Sequence, residues 1–191
     1  MPKKGLNQTA ILQAAVALVE EKGYDSFSLR ELAARLDVKP SSLYNFVQGV
    51  EEINSMVALH AADMLHEVLE KAVEGKDADT AFVDGTSAYL DFAQNNRELY
   101  RALIRMPASD DEKIVRAAFA SYAPLRAVIR SYDIGEPDTL HFLRSLRSFM
   151  HGYVELTGNG FMQRGIATRE ETWNLVIQEF LRRLKEGKKD A

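Results

Sequence analysis

Cysteine is absent from the 191 residues, so no disulfide framework can staple the chain, and a reducing compartment suits it. No apolar run approaches the ~18 residues of a membrane span, so no membrane partner is expected and the protein reads as cytoplasmic. An excess of positive charge is missing too: 24 Lys and Arg stand against 28 Asp and Glu, a net charge of −4 with a pI near 5.6. That balance argues against a protein that coats nucleic acid indiscriminately. Sustained strand alternation, internal repeats and long linkers are also absent. Nucleophile elbows and phosphate-cradling glycine loops do not occur, since Gly158-Asn159-Gly160-Phe161 reads only as a helix-ending turn. The acidic pairs Asp110-Asp111 and Glu170-Glu171 fall in first helical turns, where the helix dipole favours negative charge. His60, Asp63 and His66 lie at i, i+3 and i+6 with no fourth ligand near, so neither a metal nor a cofactor is expected, and the chain does not read as an enzyme.

What is present is helical periodicity. Lys3-Lys4 followed by AILQAAVALV superficially imitates a signal sequence, but Gln13 interrupts the apolar stretch and Glu20-Glu21-Lys22 continue a helix where cleavage would fall. A first helix is expected from Asn7 to Lys22, capped by Asn7 or Thr9 and ended by Gly23. A long fourth helix from about 51 to 74, roughly 35 Å at 1.5 Å per residue, is broken by Gly75. Shorter helices follow over about 79–94 and 97–105. A box of Ser109 with Glu112 opens a helix running to about Tyr132 with a kink at Pro124. Two more cover about 137–157 and, capped by Thr168 with Glu171, the region from 169 onward. The architecture is all-α with about nine helices.

The stretch from Phe27 to Ile53 organises the rest. Ser28 and Glu31 form a capping box, so a helix begins at Leu29 with Leu32, Ala33 and Leu36 on its apolar face. Pro40 opens a second helix after about four connecting residues, at a position where proline costs no hydrogen bond. Two short helices joined so tightly must cross steeply, as in a helix-turn-helix. Ser41, Ser42, Tyr44 and Asn45 then point outward near the start of the second helix while Leu43 and Val47 face the core, which is what a major-groove reader needs. Helix pairs of this kind also occur in all-helical domains that never touch DNA. The first 60 residues carry six Lys and Arg against seven acids, so DNA binding must come from local placement of Lys3, Lys4, Lys39 and Arg30.

Lys22-Gly23-Tyr24, Ser28-Leu-Arg-Glu-Leu-Ala, Val38-Lys-Pro-Ser-Ser-Leu-Tyr and the acidic Glu51-Glu52 resemble, in order and spacing, the tetracycline-repressor (TetR) family over roughly the first 60 residues. The resemblance implies an N-terminal three-helix DNA-binding domain over 1–50 and a ligand-binding and dimerisation domain over 51–191, connected by the helix 51–74. It implies a repressor that binds a palindromic double-stranded DNA operator as a homodimer and is released by a small, largely apolar effector. The expected DNA-binding residues are Lys4, Ser28, Lys39, Pro40, Ser41, Ser42, Tyr44 and Asn45. Two positions depart from the family: Phe46-Val47 stand where a His-Phe pair is usual, and Val50 where a lysine usually opens helix four next to a phosphate. A helical adaptor dimer with little DNA affinity is the alternative that these departures leave open.

Phe149 to Leu156, with His151-Gly152 inside it, is similar to a C-terminal domain of this family named for Trp, His and Gly, although the only Trp, Trp173, lies on the next helix. The stripes of the last two helices, Met150, Tyr153, Val154, Trp173, Val176, Ile177, Phe180 and Leu184, read either as core of one chain or, as the family implies, as a dimer interface in a four-helix bundle. Tyr89, Phe92, Phe119, Tyr122 and Phe142, with Arg147 or His151 as polar anchors, are the expected effector site. Gly85-Thr86-Ser87 and Pro124 are expected to open a cavity among them.

Overall fold

The computed structural model describes residues 5–24, 26–106 and 109–187. Among these the chain is all-helical, with ten helices: α1 (Gln8–Lys22), α2 (Leu29–Arg35), α3 (Pro40–Leu43), α4 (Val50–Val73), α5 (Ala78–Asn95), α6 (Arg97–Arg105), α7 (Glu112–Ala120), α8 (Ala123–Arg130), α9 (Glu136–Gly158) and α10 (Arg169–Gly187). No described helix is long and apolar enough to cross a membrane.

Local chemistry sets most of the ends. The Asn7 side chain accepts the N–H of Ala10 at 2.8 Å and so caps α1. Ser28 and Glu31 make both bonds of their capping box, and so do Thr168 and Glu171, whose N–H groups are satisfied at 2.7 and 3.1 Å. Two expectations fail. Asp111, not Ser109 with Glu112, caps α7 by accepting the N–H of Lys113 at 2.8 Å, while the Ser109 hydroxyl accepts the N–H of Asp111. The helix thought to continue to Tyr132 instead stops at Ala120, with the Ser121 hydroxyl donating back to the Ala118 carbonyl at its end. Pro124 occupies the first turn of a separate α8, so it starts a helix and kinks none.

The chain divides into two compact units, one of residues 1–64 with 96–121, the other of 65–95 with 122–191. In the first, α1 packs on α2 and α6, and α2 packs on α3. Ile11, Leu18, Val19, Leu32, Leu43, Ile53 and Leu99 are buried there. The Glu98 carboxylate of α6 accepts the Tyr24 N–H just beyond α1 at 2.9 Å, and the Arg105 guanidinium stands 5.5 Å from the Tyr24 ring centre. In the second unit α5 is central and packs on α8, α9 and α10.

Candidate functional site

The DNA-reading candidate is the α2–α3 pair of the first unit. Its turn is built from backbone. Asp37 takes φ 53°, the Val38 N–H donates to the Ala33 carbonyl at 3.0 Å, and the Asp37 N–H donates to that of Ala34 at 3.1 Å. These are the paired bonds of a Schellman ending, which needs a left-handed residue, a conformation that Asp tolerates better than most. Lys39 then has the extended backbone required before proline, φ −73° and ψ 144°, and Pro40 opens α3. Only Pro40 to Leu43 is regular helix, and Tyr44 to Phe46 continue it as turns, with the Phe46 and Val47 N–H groups both bonded to the Leu43 carbonyl. Leu43 and Val47 are buried and anchor the segment. Ser41, Tyr44 and Asn45, at i, i+3 and i+4, share the outward face with Lys39 and Pro40, and Ser42 is half-buried beside them. Tyr44 is 60% exposed, unusual for a tyrosine unless its ring and hydroxyl have something to meet. Lys4 lies outside the described residues.

Charge around this face is arranged by pairing. Lys22 bonds Glu31, and Arg35 bonds Glu21 at 2.7 Å, so two of the cations in this region are held by acids on α1 and α2. Arg35 pulls the Glu21 carboxyl below its ordinary value, and Lys22, followed by Ser28, does the same for Glu31. Arg30 and Lys39 are exposed with no ion pair among the described residues. Ser28 is committed to its capping box, which leaves its hydroxyl partly occupied. The first turn of α4 is acidic: the Glu52 carboxylate accepts the Gln48 N–H at 2.6 Å and Glu51 is exposed beside Val50.

In the second unit the residues expected to hold an effector are only partly brought together. Tyr89 and Tyr122 pack with ring centres 5.8 Å apart, and the Arg147 guanidinium carbon stands 4.6 Å over the Tyr122 ring. His151 follows one turn after Arg147 on α9 and is half-buried, and Phe92 is buried. Phe142 turns elsewhere, into contact with Phe82 and Phe180. Phe119 belongs to the other unit and is 54% exposed. The supposed cavity formers fill space instead. A Cβ on Gly85 would meet methyl carbons of Leu125 and Val73 at 3.2 Å, and the Thr86 and Ser87 hydroxyls both bond back to the Val83 carbonyl. Three clefts are described in this unit. One of about 630 Å³ is lined by Asp79, Tyr132, Arg182 and Lys185. Its charges are mutually satisfied: Asp79 takes the Tyr132 hydroxyl at 2.7 Å and the Lys185 ammonium at 2.5 Å. Burial, then Asp79, push the Tyr132 hydroxyl pKa well up. A more apolar cleft of about 680 Å³ runs between α4, α5 and α8 past His66, Val73, Ala81, Pro124 and Val128, and one of about 380 Å³ lies beside His141 and Arg183. Tyr89, Tyr122 and Arg147 line none of these three.

The stripe expected at a dimer interface is core of a single chain. Met150, Tyr153, Val154, Trp173, Ile177 and Leu184 are buried without a second copy, and Val176 and Phe180 are half-buried. Trp173 packs on Tyr153 and Phe149 with ring centres 4.9 and 5.5 Å apart, and the Tyr153 hydroxyl donates to the Arg169 carbonyl. Side chains with so little free surface have little to give a partner. The apolar side chains left exposed are others: Leu140 and Leu156 on α9, Phe161, Met162 and Ile166 in the connection, and Leu175 on α10.

A capped helix pair with a tight turn and a polar, aromatic outward face, joined to a second all-helical unit, defines the helix-turn-helix class of DNA-binding proteins. Residues 11–46 match the family described as bacterial regulatory proteins, tetR family, and residues 82–180, more than half of the chain, match the tetracyclin repressor-like C-terminal domain. The protein belongs to the TetR family of DNA-binding transcriptional regulators, which are not enzymes. It is 29% identical over 158 residues to an uncharacterized HTH-type transcriptional regulator of Mycobacterium tuberculosis, covering 82% of this chain and 72% of that protein. It is 28% identical over 163 residues to the HTH-type regulator YobS of Bacillus subtilis, covering 85% of each. Among solved structures, a protein of unknown function from Rhodococcus sp. RHA1 shares the fold with a TM-score of 0.82 at 22% identity, covering 97% of this chain and 100% of that one.

Proposed function

We propose that this regulator is a repressor that binds a palindromic operator as a homodimer and releases it when a small effector enters the second unit. The observation that carries the reading is the outward face at α3, where the side chains of Lys39, Ser41, Tyr44 and Asn45 have no partner among the described residues while Leu43 and Val47 hold the segment down. Residues 1–50 would read DNA, residues 51–191 would bind effector and partner, and the helix from 51 to 74 would connect them. Such a protein works in the cytoplasm, where its operator is. Tyr44 and Ser42 are suited to phosphate contacts and Asn45 to a base edge, since phosphate contacts position a protein and base contacts specify sequence. Dimerisation would place two such faces about one DNA turn, ~34 Å, apart. The second copy would cover Leu156 and Leu175, which otherwise leave large apolar side chains in water.

Binding of the purified protein to the DNA upstream of its own gene, followed by fluorescence anisotropy at two salt concentrations, tests the reading. Sequence-specific binding that weakens steeply with salt is expected. Tyr44→Phe should weaken binding to all sequences, whereas Asn45→Ala should change the preferred base by about 1–3 kcal/mol of discrimination. Absence of specific binding on any genomic fragment would refute it and leave a helical adaptor dimer, the reading that the acidic first turn of α4 and Val50 favour.

A further inference from the structure

Two groups in the second unit lack the partners their chemistry calls for. The Tyr122 hydroxyl is buried with no hydrogen-bond partner among the described residues, an arrangement rare in folded proteins. Arg147, a half-buried residue of α9, a helix that packs on α8, lays its guanidinium over the same tyrosine ring, 4.6 Å from its centre. No carboxylate pairs with Arg147 among the described residues. The fully buried Tyr89 packs against that ring as well, its ring centre 5.8 Å from that of Tyr122, and so holds the ring in place.

A phenol hydroxyl has one proton to donate, and a guanidinium has five donors and no acceptor. Neither group satisfies the other in this geometry: the buried hydroxyl has no partner and the cation beside it has no carboxylate among the described residues. A neutral carbonyl would take the phenol proton but leave the cation without a counter-charge. A carboxylate offers two oxygens and a negative charge, and it would answer both groups at once. We propose that the effector is an organic acid, with its carboxylate held by Arg147 and the Tyr122 hydroxyl. This inference rests on the effector reading given above and narrows it from a largely apolar ligand to an anionic one.

Calorimetry and thermal shift on the full chain, with benzoate and octanoate set against benzamide and octanamide, provide the test. The two acids should bind and raise the melting temperature, and the amides should not. Tyr122→Phe and Arg147→Met should each weaken acid binding about tenfold or more, the usual scale for one bond to a charged group. Tyr122→Phe should also raise the melting temperature of the unliganded protein, because it deletes an unpaired buried hydroxyl. A lowered one would show that water already serves that group and would overturn the proposal. Equal binding of amides and acids, acid binding indifferent to both substitutions, or no binding of either acid at millimolar concentration would overturn it too. Release of the upstream DNA, measured in parallel, separates the two ideas: acid binding that leaves the DNA complex intact refutes the effector role and keeps the site. DNA release by the amides alone keeps the effector role and refutes the site.

Discussion

Substitution of Gly85 probes how closely α5 is packed, because two opposed effects of similar size meet there. In the interior of a helix, Gly→Ala gains about 1 kcal/mol of helix propensity. Against this, the new Cβ would stand 3.2 Å from Leu125 Cδ1 and 3.2 Å from Val73 Cγ1, whereas carbon atoms rest at about 3.5–4.0 Å. Each contact must therefore open by a few tenths of an ångström. Leu125 Cδ1 ends a side chain with two rotatable bonds, but Leu125 is buried, so its movement is passed into the packing of α8. Val73 is β-branched on a helix and stiff at χ1, yet it is the last residue of α4 and only half-buried, so some of the strain relaxes there. Overpacking costs about 1–3 kcal/mol. Gly85→Ala should thus fall between neutral and about 2 kcal/mol destabilised, and Gly85→Val should lose at least about 2–3 kcal/mol. Urea unfolding followed by circular dichroism measures both, and Val73→Ala combined with Gly85→Ala should recover part of the loss through a positive coupling. If Gly85→Ala stabilised the protein by the whole propensity gain, or Gly85→Val were silent, the inferred close packing of α5 on α4 and α8 would be refuted.

Val50→Lys should restore a phosphate contact at the start of α4. The positions three and four residues on are Ile53 and Asn54, so no acid on the neighbouring turn would capture the new ammonium. The slope of log K against log salt should steepen by about 0.9 per subunit, readable by anisotropy, and an unchanged slope would place that turn away from DNA. Ser28→Ala should cost about 1 kcal/mol by removing the α2 cap, measured in the same urea unfolding. Glu21 and Glu31 titrate below their ordinary value of 4.5 in the folded chain, so their contribution holds above that pH and is lost as pH falls through their lowered values. Carboxyl NMR titration should show both midpoints depressed, and Lys22→Met should return that of Glu31 toward normal.

The elements legible in the sequence were those fixed by neighbours a few residues apart. The Ser28–Glu31 and Thr168–Glu171 boxes and the Asn7 cap each involve one helical turn, and each stands as read. Where two local signals competed, the nearer won: Asp111 capped α7 in place of Ser109. The α8 start shows why Pro124 misled, since proline fits a first turn and breaks an interior one equally well by pattern. Periodicity told that Met150, Trp173 and Leu184 would be buried, but it holds no information on whether the covering surface belongs to the same chain. The tie between Glu98 and the Tyr24 amide spans 74 positions, and nothing in the local pattern of either segment announces it.

That long-range tie bears on how the protein can be dissected. Because residues 96–121 complete the first unit, the chain passes between the units three times, after Met64, after Asn95 and after Ser121. Cutting the gene after residue 50 or 64 would not liberate a free-standing reader. It would strip from α1 one of the helices that pack on it and remove the Glu98 carboxylate from the Tyr24 N–H. A reader module that could be transplanted onto another scaffold would have to carry both segments, rejoined by a designed connection across the gap from 65 to 95.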